Sequence, residues 1–282
     1  MSAGNQELTN LKPISNEGLT TFSRFCVHDS DMMLADFHVH STFSDGKLTI
    51  AELVDFYGTR GFGCIAITDH ICEKKSFLGF AAGALKFSLR EETFHEYLRL
   101  IAEEGSRAWR TYRMHVIPGF ELSKNSWAHH RSAHVLGIGV KSWLSAELPI
   151  KTMTRELRAQ GALSVAAHPV FTGMLEPQTL HLWENREELA DEFDAWEVAS
   201  GRHFFHQVHG SGLKMVDSSD LHHPKQIHSW KTLLKLPKGE VTVAEVLTAV
   251  REQRLEFGFW NEARGHIEST GATCQPVMAP LS

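Results

Sequence analysis

Residues 36–46 read Asp36-Phe37-His38-Val39-His40-Ser41-Thr42-Phe43-Ser44-Asp45-Gly46, and the rest of the chain is best understood outward from them. The apolar run Met33-Leu34-Ala35-Asp36-Phe37 predicts a first buried strand that delivers His38 and His40 at its C-terminal end. Alternate side chains of an extended strand share a face, so the two imidazoles can point the same way. Asp45-Gly46 adds a carboxylate on a turn, with Gly46 giving the backbone the freedom such a turn may require. Imidazole together with carboxylate is the donor mixture favoured by zinc, iron and manganese. In a chain with 18 histidines one HxH pair is weak by itself. Its weight comes from what recurs downstream.

Thr49-Ile50-Ala51-Glu52 has the pattern of a capping box, and Ile50, Leu53, Val54 and Tyr57 follow at helical spacing. Gly63–Ile67 then predicts a second strand ending in Thr68-Asp69-His70, and 114–119 a third that runs into Glu121. Between them a helix is expected around Phe94, Tyr97, Leu98 and Ile101, after an irregular stretch, 71–92, that could form a loop or lid. A polar loop from Ser123 to Arg131 leads to a fourth strand, 133–138, with His134 at or just inside its end. A helix at 151–160 stops at Gly161, and a fifth strand, 162–167, ends in His168-Pro169. Sixth and seventh strands are expected at 193–198 and 213–216, the latter closing on Asp220-Leu221-His222. An eighth, 231–236, precedes a second capping box, Thr242-Val243-Ala244-Glu245. Alternating strands and helices imply a mostly parallel sheet with helices outside, whose chemistry collects at the C-terminal strand ends. Any one of these histidines could be an ordinary core or surface residue. Packing gives no reason for them to recur at one end of nearly every strand.

At 282 residues and 42% hydrophobic the chain can bury a sizeable core, and one domain at 32–261 is expected, with an N-terminal extension at 1–31 and a peripheral tail at 262–282. A net charge of −6 argues against long nucleic acid as a partner, since backbone binding needs many Lys and Arg contacts. Four cysteines without a CxxC pair favour a reducing compartment, so the expected location is cytoplasmic. No apolar run approaches the ~20 residues of a membrane span, and the N-terminus lacks the layout of a signal peptide.

The motifs HVHSTFSDG, ITDH, GFE, HVLG, AAHP and SSDLHH, spread over residues 36–223, resemble in order those of the PHP (polymerase and histidinol phosphatase) family of metal-dependent phosphoesterases. The resemblance implies a distorted TIM-like (β/α)7 barrel, with an eighth strand in excess of that pattern. It implies three divalent metal ions (zinc, manganese or iron) and nine ligands: His38, His40, Asp45, His70, Glu121, His134, His168, Asp220 and His222. One ion would take His38, His40, Glu121 and Asp220; a second, Glu121 as a bridge with His134 and His168; the third, Asp45, His70 and His222. The catalytic role falls to Glu121, Asp220 and His222. The implied activity is hydrolysis of a phosphate ester, most readily a small-molecule monoester, by a metal-bridging hydroxide. Two other readings compete: a phosphodiesterase or exonuclease on nucleotides or short nucleic acids, and a non-catalytic metal-binding module.

Arg202, after the sixth strand, matches a position where the family presents a polar or basic group to substrate, and its guanidinium suits a small phosphorylated ligand. Asp69 could orient a ligand or cap a turn. Lys124, Asn125, His129 and His130 are weaker candidates, and His203, His206 and His209 are expected on a polar helix face.

Overall fold

The computed structural model describes residues 23–25, 32–73, 87–125, 132–170, 179–237, 240–261 and 266–269. A short strand β1 (Ser23–Phe25) precedes β2 (Met32–Val39), in which every residue from Leu34 onward is buried. Burial on both faces is what a strand covered by helices on one side and an interior on the other requires. Helix α1 (Ile50–Gly58) starts where the capping box places it: Glu52 N–H donates to Thr49 Oγ1, and Thr49 N–H donates back to Glu52 Oε2. Its buried face, Ile50, Leu53, Val54 and Tyr57, packs into the core.

Next come β3 (Cys64–Ile67), β4 (His70–Cys72), α2 (Glu91–Tyr112) and β5 (His115–Lys124). Then follow β6 (Ala133–Ile138), α3 (Ile150–Gln160), β7 (Leu163–Ala166) and two one-turn helices, α4 (His181–Glu184) and α5 (Arg186–Leu189). Strands β8 (Ala195–Ser200) and β9 (His203–Phe204), the single turn α6 (His206–His209) and β10 (Met215–Ser218) complete the first part of the sheet. A further antiparallel unit contains β11 (Trp230–Lys235), α7 (Val243–Arg251), β12 (Leu255–Asn261) and β13 (His266–Ser269). Helix α7 begins at the second capping box, Thr242 with Glu245.

The strands form one mixed, curled sheet in the order β1-β13-β12-β11-β2-β3-β5-β6-β7-β8-β10, with β4 paired to β5 and β9 to β8. The β2–β3, β3–β5, β7–β8 and β8–β10 pairs are parallel. Past the end of β10 the chain returns to β2 through a single bridge, Val39 to Leu221, where His40 N–H donates to Leu221 O. The curl therefore brings the segment after β10 against the end of β2 without a strand ladder between them.

Several expectations change. Strand β6 is antiparallel to both β5 and β7, so the regular repeat of parallel units breaks there. Its connection to β5 is too short for a parallel crossover, which needs a dozen or more residues and usually a helix. The eighth strand is β11, which lies outside the curled parallel part and pairs antiparallel with the far edge of β2, Thr232 opposite Ala35. The sixth and seventh strands begin two residues later than expected, and α2 extends well past Ile101 because its outer face is charged. Of the segment 71–92, residues 74–86 lie outside the described residues, as does most of 1–31 and of 262–282; within the latter two, β1 and β13 pair with each other, and β13 with β12. Among the described residues no helix is long and apolar enough to cross a membrane.

Candidate metal centre

Most of the strands that enter the curl carry or lead into one cluster at a single rim. His38 lies one residue before the end of β2 and His40 just after it, both fully buried; His70 opens β4, Glu121 lies in β5, His168 follows β7, and Asp220 and His222 follow β10. His134 sits near the start of β6, and reaches the same rim because β6 runs the opposite way. The antiparallel strand thus delivers from its N-terminal end what its neighbours deliver from their C-terminal ends.

The donor atoms fall into three overlapping groups. His38 Nε2 lies 3.3 Å from Glu121 Oε2 and 3.3 Å from Asp220 Oδ1; His40 Nε2 lies 3.5 Å and 3.3 Å from the same two oxygens. Ligands about 2.05 Å from a tetrahedral ion stand roughly 3.3 Å apart, so these separations fit donors that would hold a divalent cation. The other oxygen of Glu121 is 2.7 Å from His134 Nδ1 and 3.1 Å from His168 Nε2. Asp45 Oδ1 is 3.2 Å from His222 Nε2 and 3.7 Å from His70 Nε2, and those two nitrogens are 3.4 Å apart. All nine sequence-predicted ligand residues are therefore brought together.

The second nitrogen of each ring shows which atom is left to bind. His38 Nδ1 faces Glu197 Oε1 at 3.0 Å, and His222 Nδ1 faces the Asp220 carbonyl at 3.0 Å. Ser44 gives its hydroxyl proton to Asp69, so toward His40 Nδ1, 3.5 Å away, it presents a lone pair. Thr179 likewise donates to the His168 carbonyl and can accept from His168 Nδ1 at 3.1 Å. His70 Nδ1 has Ser123 Oγ at 2.9 Å and Glu121 Oε2 at 2.8 Å. Each of these five rings has its Nδ1 occupied by an outer contact and turns Nε2 inward, the arrangement that leaves Nε2 free for a cation once the ring is neutral. His134 is reversed: Nε2 meets Asn125 Oδ1 at 2.8 Å, leaving Nδ1 for the cluster. Outer partners that fix the tautomer in this way are the usual support of metal-binding histidines.

Five buried atoms at the centre have no hydrogen-bond partner: His38 Nε2, His40 Nε2, Asp45 Oδ1, Glu121 Oε2 and Asp220 Oδ1. Leaving such groups unpaired costs about 1–3 kcal/mol each, and a cation beside His38, His40, Glu121 and Asp220 with another beside Asp45 would satisfy all five. Burial alone would raise the pKa of Glu121, yet His70, His134 and His38 hold it well below the ordinary carboxylate range. Burial also opposes ionisation of Asp220, and His38 and His222 outweigh it. His40 is pushed down to about 3 by burial and by the neighbouring His222 and His70, which keeps it neutral and able to coordinate. The donor set fits divalent cations that accept mixed nitrogen and oxygen ligands.

The supporting residues were less visible in the sequence. Glu197 contacts both His38 and the backbone of His168, and only its position as a charged residue within an apolar strand could have marked it. Asp69 is a turn cap rather than a partner of His70: it accepts from Ser41 N–H at 2.8 Å and from the Ser41 and Ser44 hydroxyls at 2.6 Å each, and so braces the loop that carries Asp45. Gly46 is needed for close approach, since a Cβ there would lie 2.2 Å from His40 O; its backbone is not left-handed. Asp36 accepts from Ser219 N–H and Oγ beneath Asp220, and pairs with the fully buried Lys231 at 3.3 Å.

Arg202 lies exposed in the turn between β8 and β9 and makes no hydrogen bond or ion pair with any of the nine residues. Lys124 pairs with Glu73 at 3.0 Å, and His129 and His130 lie outside the described residues. His203, His206 and His209 are exposed; His203 is in a strand, and only the other two share a helical turn.

The geometry defines a candidate cation site built at one rim of a curled α/β sheet. Residues 36–192, more than half of the chain, match the PHP domain model, and the chain belongs to that family. It is 28% identical over 131 residues to the phosphoribosyl 1,2-cyclic phosphate 1,2-diphosphodiesterase of Eggerthella lenta, an alignment spanning 46% of this chain and 40% of that protein. The match thus covers well under two thirds of that relative's length. Among solved structures, it is similar to a two-domain Bacteroides vulgatus protein containing a predicted PHP-like metal-dependent phosphoesterase, with TM-score 0.55, 21% identity, and 81% of this chain and 65% of that one covered. PsfC of Pseudomonas syringae shows the same fold at TM-score 0.55 and 16% identity, over 83% of this chain and 94% of its own.

Proposed function

We propose that the chain is a metal-dependent phosphoesterase that hydrolyses a small phosphorylated molecule, with a phosphomonoester as the leading substrate class. The observation that carries this reading is the set of five partnerless buried donor atoms facing one another where six histidines and three carboxylates converge. His38, His40, Glu121 and Asp220 would hold one ion, Glu121 with His134 and His168 a second, and Asp45, His70 and His222 a third. Zinc, manganese and iron all suit these donors. Bound there, the ions would supply Lewis-acid activation of water and neutralisation of phosphate charge.

The chain's own residues divide the remaining work. Glu121 places one oxygen toward each of two positions, so it sets their separation. Asp45, His222 and Asp220 are the most exposed members, at 36%, 26% and 24%, followed by His70 at 16%, and mark the side from which substrate reaches the buried donors. Asp220 and His222 thereby combine ligation with substrate contact. Arg202, exposed on the β8–β9 turn, is assigned to the substrate's outer oxygens, where a guanidinium fork is effective. The curled sheet is read as the distorted seven-stranded barrel, β2-β3-β5-β6-β7-β8-β10, with the Val39–Leu221 bridge as its seam.

Charge favours a monoester. Three ligand carboxylates against three divalent cations leave an excess positive charge that a dianionic phosphate matches better than a monoanionic diester. The similarity to the Eggerthella lenta diphosphodiesterase favours a second reading, cleavage of a small diester. Long nucleic acid suits neither, given the net charge of −6. Free thiols at Cys64 and Cys72 accord with a reducing, cytoplasmic setting. The test is phosphate release from a panel of monoesters and small diesters by protein whose metal content has been counted. Monoester turnover with about three metals per chain is expected; diester cleavage alone would move the second reading to first place. A folded, metal-replete protein inert on the whole panel would leave a metal-binding module.

A further inference from the structure

Glu197 is fully buried in β8 amid apolar neighbours, and its two oxygens are used separately. Oε1 accepts from His38 Nδ1 at 3.0 Å, and Oε2 accepts from the His168 backbone N–H at 2.7 Å. His38 belongs to the first cation position and His168 to the second, and their rings lie stacked 5.8 Å apart. The backbone of His168 is left-handed, at φ 28°, a conformation that non-glycine residues seldom hold without support. Thr179 grips its carbonyl and Glu197 its N–H.

We propose that Glu197 is a positioning residue that sets two cation positions at once, through the ring of His38 and the backbone of His168. The assignment rests on the metal-centre reading above. One carboxylate keeps the His38 proton on Nδ1, so that Nε2 offers its lone pair beside Glu121 and Asp220. The same carboxylate pins the strained peptide that aims His168 at the other oxygen of Glu121. Both partners are donors, and only a group with two acceptors can serve them together. An amide cannot: it has one acceptor and one donor. Because a backbone N–H cannot relocate its proton, Glu197→Gln must turn its oxygen to His168 and its NH2 to His38 Nδ1. Nδ1 must then accept, and the His38 proton moves to Nε2, the atom required for coordination.

The experiment pairs zinc affinity, by competition with a chromophoric chelator, with nitrogen-15 histidine spectra of wild type and E197Q. Zinc-loaded wild type should carry the His38 proton on Nδ1; E197Q should bind zinc about 10–100-fold more weakly and, metal-free at alkaline pH, carry that proton on Nε2. Wild-type affinity in E197Q overturns the assignment, and so does weaker binding with the tautomer unchanged. Should E197Q fail to fold, the zinc-loaded wild type still decides, because a His38 proton on Nε2 there refutes the proposal. A wild type that binds no zinc, manganese or iron refutes the metal centre itself, whereas zinc-binding wild type with an equally competent E197Q refutes only the role of Glu197.

Discussion

Gly46→Ala adds one methyl group in a place the backbone has already filled. Its Cβ would stand 2.2 Å from His40 O, 2.4 Å from His40 C and 2.7 Å from Ser41 N. Ordinary carbon–oxygen contact begins near ~3.3 Å, so something must move by about 1 Å. His40 is fully buried and its N–H is tied to Leu221 O at 2.9 Å, whereas Asp45 is at the exposed limit of the cluster. The turn carrying Asp45 is therefore what yields. Metal–ligand distances tolerate roughly ±0.2 Å, and a 1 Å displacement of Asp45 from its 3.2 Å approach to His222 Nε2 exceeds that severalfold. G46A should lose the cation proposed for Asp45, His70 and His222 and retain the two proposed at Glu121, with a stability cost of about 1–3 kcal/mol for the overpacked turn. Elemental analysis reports metals per chain, and a thermal melt of the metal-free protein reports the cost. A variant with the wild-type metal content and an unchanged melting temperature would show that the turn does not govern the third position.

Glu121→Gln replaces one oxygen of the carboxylate that serves two positions, so bound metal should fall to about one per chain and phosphate release by more than ~100-fold, the scale of mere outer-partner losses; full metal content with full turnover contradicts the shared role. Lys231→Met strips the partner from buried Asp36 and should cost about 3–5 kcal/mol in urea unfolding, with a loss below ~1 kcal/mol arguing that the pair is unimportant. Burial opposes charge on His222, but Asp220 and Asp45 raise it to about 10, so near neutral pH the metal-free protein carries a proton that a cation must displace. Zinc binding should therefore release protons and weaken as pH falls. Calorimetry in buffers of different ionisation enthalpy measures this, and a binding heat independent of the buffer would refute it. The same raised pKa means that the metal-free fold draws stability from this pair below about pH 6.5 and loses it as pH rises toward 10.

By itself the sequence determined what is local. Apolar runs of strand length, two capping boxes at Thr49 and Thr242, and the residue types at strand ends were all readable, because strand and helix periods act over a few residues. The recurrence of histidines and carboxylates beside these runs was legible for the same reason, whereas the full set of nine ligands came from the resemblance of the ordered motifs to the PHP family. Tertiary structure alone decided how the runs face. The reversal of β6 puts His134 on the common rim from the opposite end of its strand, and β11 joins the far side of β2 instead of the curl. It also decided every tautomer. Glu197 reaches His38 across 159 residues of sequence and Asp36 reaches Ser219 across 183, distances over which no local pattern carries information. Which nitrogen of an imidazole is free to bind a cation depends on a hydrogen bond made by the other, and that partner comes from a different strand.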